Sequence, residues 1–305
     1  MLLGLVLFAV SLIHLINSNF SRANFNIAYI FFIIPIVFAW VSSIENRFLS
    51  SLQFVVAVNV AISIFQHVSL QLNFTDLALM FNNYYSQTEY VYPLVNGLYR
   101  TAGLFTESSQ YSVFLAIYLY NYLHNDFKKS KFVFSIALID LLINQSLLGY
   151  ISLILIILSA MKISLVHLTY LVLISSLFIF YQFDKLFFTL SFYNADSFPR
   201  LSSAVNNIIS TWELSPLIGQ GLTWHNPSWD ILSVMFKGFG IVGIFATFLF
   251  LVYIFYISSN ITIFLMFLAN MLVNGNLAIP INLIFLAVLW FNSVNNGKLR
   301  ENVRF

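Results

Sequence analysis

Apolar residues run along this chain in long blocks separated by short polar turns. The blocks cover approximately 1–17, 27–44, 52–70, 110–124, 131–145, 147–161, 163–181, 231–256, 260–274 and 277–292. A membrane-spanning helix needs roughly 17–25 predominantly apolar residues, so several blocks are short spans. The pair 131–145 and 147–161 reads either as a helical hairpin or as one long kinked element. The pattern predicts an all-α fold: a polytopic integral membrane bundle of about 10 transmembrane helices, with 1–305 as a single transmembrane domain. The first block, Met1 to Ile16, lacks a basic leading region and an Ala-x-Ala-like cleavage site. It is therefore read as a first span and not as a signal peptide.

Composition agrees with the pattern. The 305 residues are 60% hydrophobic and only 8% charged, with a mean hydropathy of +0.88. A soluble domain carries about 25% charged residues, so this chain has too few to clothe a water-facing surface. A formal charge of +2 gives no nucleic-acid footprint, and the chain has no cysteine, which removes disulfides and thiolate metal sites.

Lysine and arginine set an orientation. With the N-terminus cytoplasmic, the cluster Lys128, Lys129 and Lys131 and the basic tail Lys298, Arg300 and Arg304 lie inside, together with Arg47 and Lys162. Arg22, Arg100, Lys185, Arg200 and Lys237 lie outside. Two sizeable loops then face the extracytoplasmic side, at 71–110 and 182–230. Long loops are where function concentrates, so the chemistry is expected on that face. The first loop is rich in Asn and Tyr, and the second carries Trp212, Trp224 and Trp229. These rings read either as a belt at the headgroup level or as a platform for sugars.

The chain is nearly all hydrocarbon around its few charges, so the charged positions stand out. Arg100 and Glu107 flank Gly103 and Phe105 where the first loop turns back into an apolar block. They read as interfacial anchors, or as a guanidinium whose fork matches phosphate oxygens with a carboxylate that orients it or takes a proton. Arg200 stands in the second loop after Pro199, either as a solvated charge or as a second cation for the same diphosphate. Further on, Gly219-Gln220-Gly221 makes a turn that permits close backbone approach. His225 and Asn226 follow it, just before a span. His225 is the candidate base, or positions a hydroxyl. Lys237 either snorkels or adds a cation to an anion site. Gly238, Gly240 and Gly243 form a small-residue stripe expected to serve close helix packing. Asp140 lies within an apolar block. It reads as a hydrogen-bonded structural acid supported by Asn144 one turn on, or as a functional group. The remaining histidines, His14, His67, His124 and His167, are read as structural.

Arg100-x-x-Gly103-x-Phe105-x-Glu107, followed by an apolar span, resembles a signature of bacterial O-antigen and capsular polysaccharide polymerases of the Wzy type. These belong to the same superfamily as the O-antigen ligases. Ser108 stands where that signature carries proline. Pro216-Leu-Ile-Gly219-x-Gly221, His225-Asn226 and Gly240-x-x-Gly243 resemble a second signature of the superfamily. Together the two stretches cover roughly 97–250.

The resemblance implies an inverting membrane glycosyltransferase of GT-C-like architecture in the bacterial cytoplasmic (inner) membrane, with active loops extracytoplasmic. It implies partners, an undecaprenyl-diphosphate-linked glycan donor and a lipid-linked acceptor, and leaves open whether the protein works alone or with a chain-length regulator. Arg100 and Arg200 would hold the diphosphate, with Lys237, Gly103 and Asn226 in the binding site. Glu107 and His225 would serve the attacking hydroxyl. No metal or cofactor is implied, because cationic side chains neutralise the leaving group. Two alternatives remain open: an O-antigen ligase, which differs only in its acceptor, and a polysaccharide flippase or other transporter, which would carry polar groups at the bilayer midplane.

Overall fold

The computed structural model describes residues 2–16, 22–74, 77–78, 80, 101–105, 108–125, 127–144, 146–160, 197–222, 230–258, 260–273 and 280–295. Among these residues the regular structure is entirely α-helical. The helices are α1 (Leu2–Ile16), α2 (Arg22–Ser43), α3 (Glu45–Gln71), α4 (Ser108–His124), α5 (Lys131–Asn144), α6 (Leu147–Ala160), α7 (Ser197–Leu214), α8 (Ile231–Ile257), α9 (Ile261–Val273) and α10 (Pro280–Asn295).

Three of them are long and apolar enough to cross a membrane: Asn26–Ser43 in α2, Arg47–Gln71 in α3 and Ile231–Ile257 in α8. At about 1.5 Å per residue, the 25 and 27 residues of the last two exceed the ~30 Å hydrocarbon core. The apolar stretches of α1, α6, α9 and α10 are shorter. The expected span at 163–181 lies outside the described residues. The second loop, 182–230, is not all loop: α7 occupies Ser197–Leu214 within it. Its polar residues hid the helix from a search for apolar blocks. Pro199 falls in its first turn, where a missing N–H costs nothing.

The chain divides into two compact units. One comprises Met1–Ile36, Met161–Tyr256 and Met271–Asn282; the other comprises Val37–Ala160, Ile257–Asn270 and Leu283–Phe305.

In the second unit α4 is the centre, packed against α3, α5 and α6. Every residue from Gln110 to Asn121 is buried. A helix apolar on all sides belongs inside a bundle, and α4 adds Tyr111, Ser112 and Asn121 to that interior. Its approach to α6 is close: a Cβ on Gly149 would sit 2.7 Å from the Ser112 Cβ. Small residues let helix backbones approach when no hydrophobic force separates lipid from protein. Elsewhere in this unit, Phe38 stacks on Trp290 at 4.4 Å, and Phe267 meets Phe285 edge-on at 5.4 Å.

Helix α3 is polarised in reverse of a water-soluble amphipathic helix. Phe54, Ile64 and Val68 are exposed, whereas Asn59, Ser63 and Gln66 are buried. Helix α7, in the first unit, repeats the inversion, with Ile209 and Trp212 exposed and Asn207 and Thr211 buried. Apolar outer faces over polar inner faces are compatible with a membrane-spanning protein.

Gly149→Ala should lower stability by about 1–3 kcal/mol, because the Ser112 Cβ leaves the added methyl no room. Thermal unfolding in detergent checks this. In the double variant Gly149→Ala/Ser112→Gly the two losses should be less than additive, since the second change removes the Cβ that the first collides with.

Candidate functional site

The segment 101–105 is held by the buried polar stripe of α3. Asn59, Ser63 and Gln66 are spaced four and three apart, which places them on one face of a helix. Gln66 grips Gly103 as a second backbone would: its Oε1 accepts from the Gly103 N–H at 3.1 Å, and its Nε2 donates to the Gly103 carbonyl at 3.0 Å. The Asn59 Oδ1 accepts from the Leu104 N–H at 3.1 Å, while its Nδ2 donates to the Val55 carbonyl at 2.9 Å. Phe105 N–H closes a turn on the Ala102 carbonyl at 2.8 Å. The Phe105 ring lies 5.1 Å from Phe114 and 6.2 Å from Tyr111, centroid to centroid.

Gly103 is needed at its position for two reasons. Its φ is +56°, a region costly for residues with a Cβ. A Cβ there would also lie 3.0 Å from the Asn59 Oδ1.

Asp140 of α5 closes the cluster from below. The Tyr111 hydroxyl donates to its Oδ2, and the Ser63 hydroxyl donates to its Oδ1 at 3.0 Å. Ser63 is in turn 2.5 Å from the Thr101 hydroxyl. The expected support from Asn144 is corrected: the Asn144 Nδ2 donates instead to the Ser112 Oγ at 3.2 Å and the Ser108 carbonyl at 3.4 Å. Asp140 and Asn144 are one turn apart, but the stronger pull on Asp140 comes from hydroxyls of α3 and α4. A buried carboxylate needs donors, and an amide of its own helix is not the nearest.

In the first unit the second constellation is built around a break in α8. Gly240 has φ 60° and ψ −147°, a conformation nearly exclusive to glycine. The expected packing stripe at Gly240 is thereby corrected, because the backbone turns there instead of continuing as a smooth helix. In an unbroken helix the Lys237 and Gly238 carbonyls would accept from the N–H groups of Ile241 and Val242. Here Ile241 N–H donates to the Pro216 carbonyl at 2.8 Å, and Val242 N–H to the Leu217 carbonyl at 3.4 Å. The Lys237 carbonyl accepts from Gln220 N–H at 2.8 Å and Gly221 N–H at 3.1 Å. The Gly238 carbonyl accepts from the Asn24 Nδ2 at 2.7 Å, and the Asn24 Oδ1 accepts from Leu222 N–H at 2.9 Å. The Gly-Gln-Gly turn is thus threaded into the break. A Cβ on Gly219 would come within 2.6 Å of the Lys237 carbonyl oxygen, and one on Gly240 within 2.5 Å of the Pro216 carbonyl oxygen.

The Lys237 Nζ donates to the Asn207 Oδ1 on α7 at 2.6 Å. Thr211, one turn further along α7, is fully buried, and its hydroxyl has no partner among the described residues. The Gln220 Nε2 donates to the Ser210 carbonyl at 2.7 Å. The His14 Nε2 lies 2.9 Å from the Ile218 carbonyl oxygen, so His14 serves this turn, as its structural reading expects.

Of the sequence-derived site residues, Gly103 and Lys237 are placed as described. Arg200 lies in the first turn of α7, with its side chain outside the described residues. Arg100, Glu107, His225 and Asn226 also lie outside the described residues. Sequence reading missed Asn59, Ser63, Gln66, Asn24 and Asn207. The signal for the first three was present: polar residues at helical spacing inside an otherwise apolar span. Among the described residues no cluster of His, Asp or Glu has metal-ligand geometry. No family model, no curated protein and no solved structure matches this chain.

Gln66→Leu should destabilise the fold by about 2 kcal/mol or more, since it orphans both peptide groups of Gly103 at ~1–3 kcal/mol each. Gly240→Ala should cost about 3 kcal/mol, from backbone strain plus collision with Pro216. Both are read from thermal unfolding of purified protein, against Ala61→Gly as an exposed control on α3.

Proposed function

We propose that this chain is a polysaccharide polymerase of the bacterial cytoplasmic membrane. It is an inverting glycosyltransferase that joins undecaprenyl-diphosphate-linked repeat units into O-antigen or capsular polysaccharide on the extracytoplasmic face. The observation that carries the reading is the clamp on Gly103. The described part of the stretch that resembles the polymerase signature, 101–105, is a built loop, with its glycine required by φ and space, its backbone gripped by two amides, and its Phe105 packed against α4. A loop ordered in this way supports a role in positioning. The broken helix at Gly240, with the Gly-Gln-Gly turn threaded into it, supports the second half of the resemblance in the same way.

In this reading the helices form a bundle of about ten spans, and the apolar faces of α3 and α8 meet lipid. Arg100 and Arg200 bind the donor diphosphate, with Lys237 adding positive charge. Gly103 and Asn226 shape the binding site. Glu107 orients Arg100 or helps activate the acceptor hydroxyl, and His225 serves that hydroxyl as base or by positioning it. The bond energy resides in the sugar–diphosphate linkage. The protein therefore has to orient two lipid-linked glycans, stabilise the departing charge and accept a proton. An O-antigen ligase shares every one of these features except the acceptor.

A second reading, transport of a lipid-linked glycan, is favoured by one observation. Helices broken near a buried acid are the usual substrate sites of transporters, and this chain has both Gly240 and Asp140. Gly240 belongs to the first unit and Asp140 to the second.

Arg100→Ala, expressed at wild-type membrane levels in a deletion strain, should convert a full glycan ladder into a single repeat, read on a glycan gel. Deletion that leaves no repeat on the acceptor while lipid-linked polymer accumulates would make the protein a ligase. Movement of the lipid-linked glycan across liposomes without elongation would establish the transport reading. A ladder that survives Arg100→Ala would overturn the assignment of the diphosphate to this loop.

A further inference from the structure

The polymerase reading needs a destination for the proton of the attacking hydroxyl, and the described residues contain one. Asp140 is 6% exposed. Burying a carboxylate is costly unless it is fully bonded, and here its bonds come from hydroxyl groups. Tyr111 donates to one oxygen and Ser63 to the other. Ser63 has a single hydrogen, which is committed to Asp140. With Asp140 as a carboxylate, the hydroxyl bond between Ser63 and Thr101 runs from Thr101 to Ser63. Hydrogens thus point one way along the chain, from Thr101 to Ser63 to Asp140. Thr101 is the residue that follows Arg100, at the start of the clamped loop.

We propose that Thr101 and Ser63 form a proton relay ending on Asp140, and that Asp140 is the final acceptor of the proton released in glycosyl transfer. This rests on the polymerase reading. The acceptor oxygen forms a bond to the anomeric carbon while the bond from that carbon to the diphosphate oxygen breaks. Undecaprenyl diphosphate leaves with the electron pair. The acceptor's proton passes to the Thr101 oxygen, the Thr101 hydrogen to Ser63, and the Ser63 hydrogen to the Asp140 carboxylate. The reverse sequence returns the proton to water at the loop and restores the starting arrangement. His225 is left to position the acceptor hydroxyl. Tyr111 holds the second carboxylate oxygen throughout and keeps Asp140 aimed at Ser63.

Among the described residues, the titratable groups facing Asp140 are Tyr111 of α4 and His67 of α3, the latter near enough to act on it electrostatically. Tyr150 of α6 donates its hydroxyl to the Leu142 carbonyl at 3.0 Å and is spent there.

The test uses full-length protein in lipid nanodiscs, with an undecaprenyl-diphosphate-linked repeat unit as substrate. Infrared difference spectra between acidic and alkaline pH should show a carboxylic-acid carbonyl band on acidification. The wild-type spectrum minus that of Asp140→Asn should isolate one such band, and Ser63→Ala should shift it; a double difference with no carboxylic-acid band overturns the proposal. In elongation assays Asp140→Asn and Ser63→Ala should each lower kcat by about 10²-fold or more, with KM unchanged. The acidic limb of the kcat profile should disappear in Asp140→Asn, and Asp140→Glu should restore part of the rate together with that limb. Ser63→Ala keeps the carboxylate and its bond to Tyr111, so it reads the relay even if Asp140→Asn folds poorly. Wild-type kcat in Ser63→Ala and in folded Asp140→Asn overturns the relay and leaves the polymerase reading standing. Wild-type protein that fails to elongate overturns the polymerase reading, and the proton step with it, whatever the infrared band shows.

Discussion

Every backbone N–H and carbonyl shielded from water must find a partner within the protein, and much of this structure follows from that constraint. Regular helix meets it automatically, which is why the described regular structure is helical. At two described places where the backbone departs from helix next to a long apolar element, polar side chains gather. At Gly103 the missing ladder is replaced by the amides of Gln66 and Asn59. At Gly240 it is replaced by the carbonyls of Pro216 and Leu217, the N–H groups of Gln220 and Gly221, and the side chain of Asn24. Irregular backbone that is so fully answered costs stability only if its partners are removed.

The same constraint explains the inverted helices. A polar residue on the inner face of α3 or α7 has protein to bond with, whereas an apolar residue on the outer face needs nothing. Asn59, Ser63 and Gln66 can therefore sit in a helix whose middle is rich in Val, Ile and Phe, and the helix gains a grip on a loop in exchange. Asp140 extends the logic to a charge-capable group. Its two oxygens are met by hydroxyls from two other helices, one of which connects onward to the clamped loop. Structure and proposed chemistry thus share residues: the bonds that order segment 101–105 also lead to the buried acid.

Two points where the sequence misled have a common cause. Asn144 looked like the partner of Asp140 because it lies one turn away on the same helix, and the glycines of α8 looked like a packing stripe because they recur at helical spacing. Both inferences used neighbours along the chain. The outcome was decided by neighbours across it, Tyr111 and Ser63 in one case and the 216–221 turn in the other. Helix α7 was missed for a related reason, since a search for apolar blocks passes over a helix whose buried face is polar.

The chain by itself determined the class. Few charges and long apolar blocks dictate helices that bury polar groups and expose hydrocarbon, and the boundaries of α1, α5 and α6 follow from composition because local hydrogen bonding and hydropathy set them. Gly103, Gly219 and Gly240 were also legible as special positions, since glycine in an apolar context marks close approach or unusual backbone. What only the tertiary structure decided was the use of those positions. Which amide grips Gly103, which carbonyls fill the break at Gly240 and which hydroxyls face Asp140 depend on residues 25 to 77 positions apart. Such contacts leave no trace in local periodicity, because the energy that selects them comes from closing the remaining hydrogen bonds once the helices have packed.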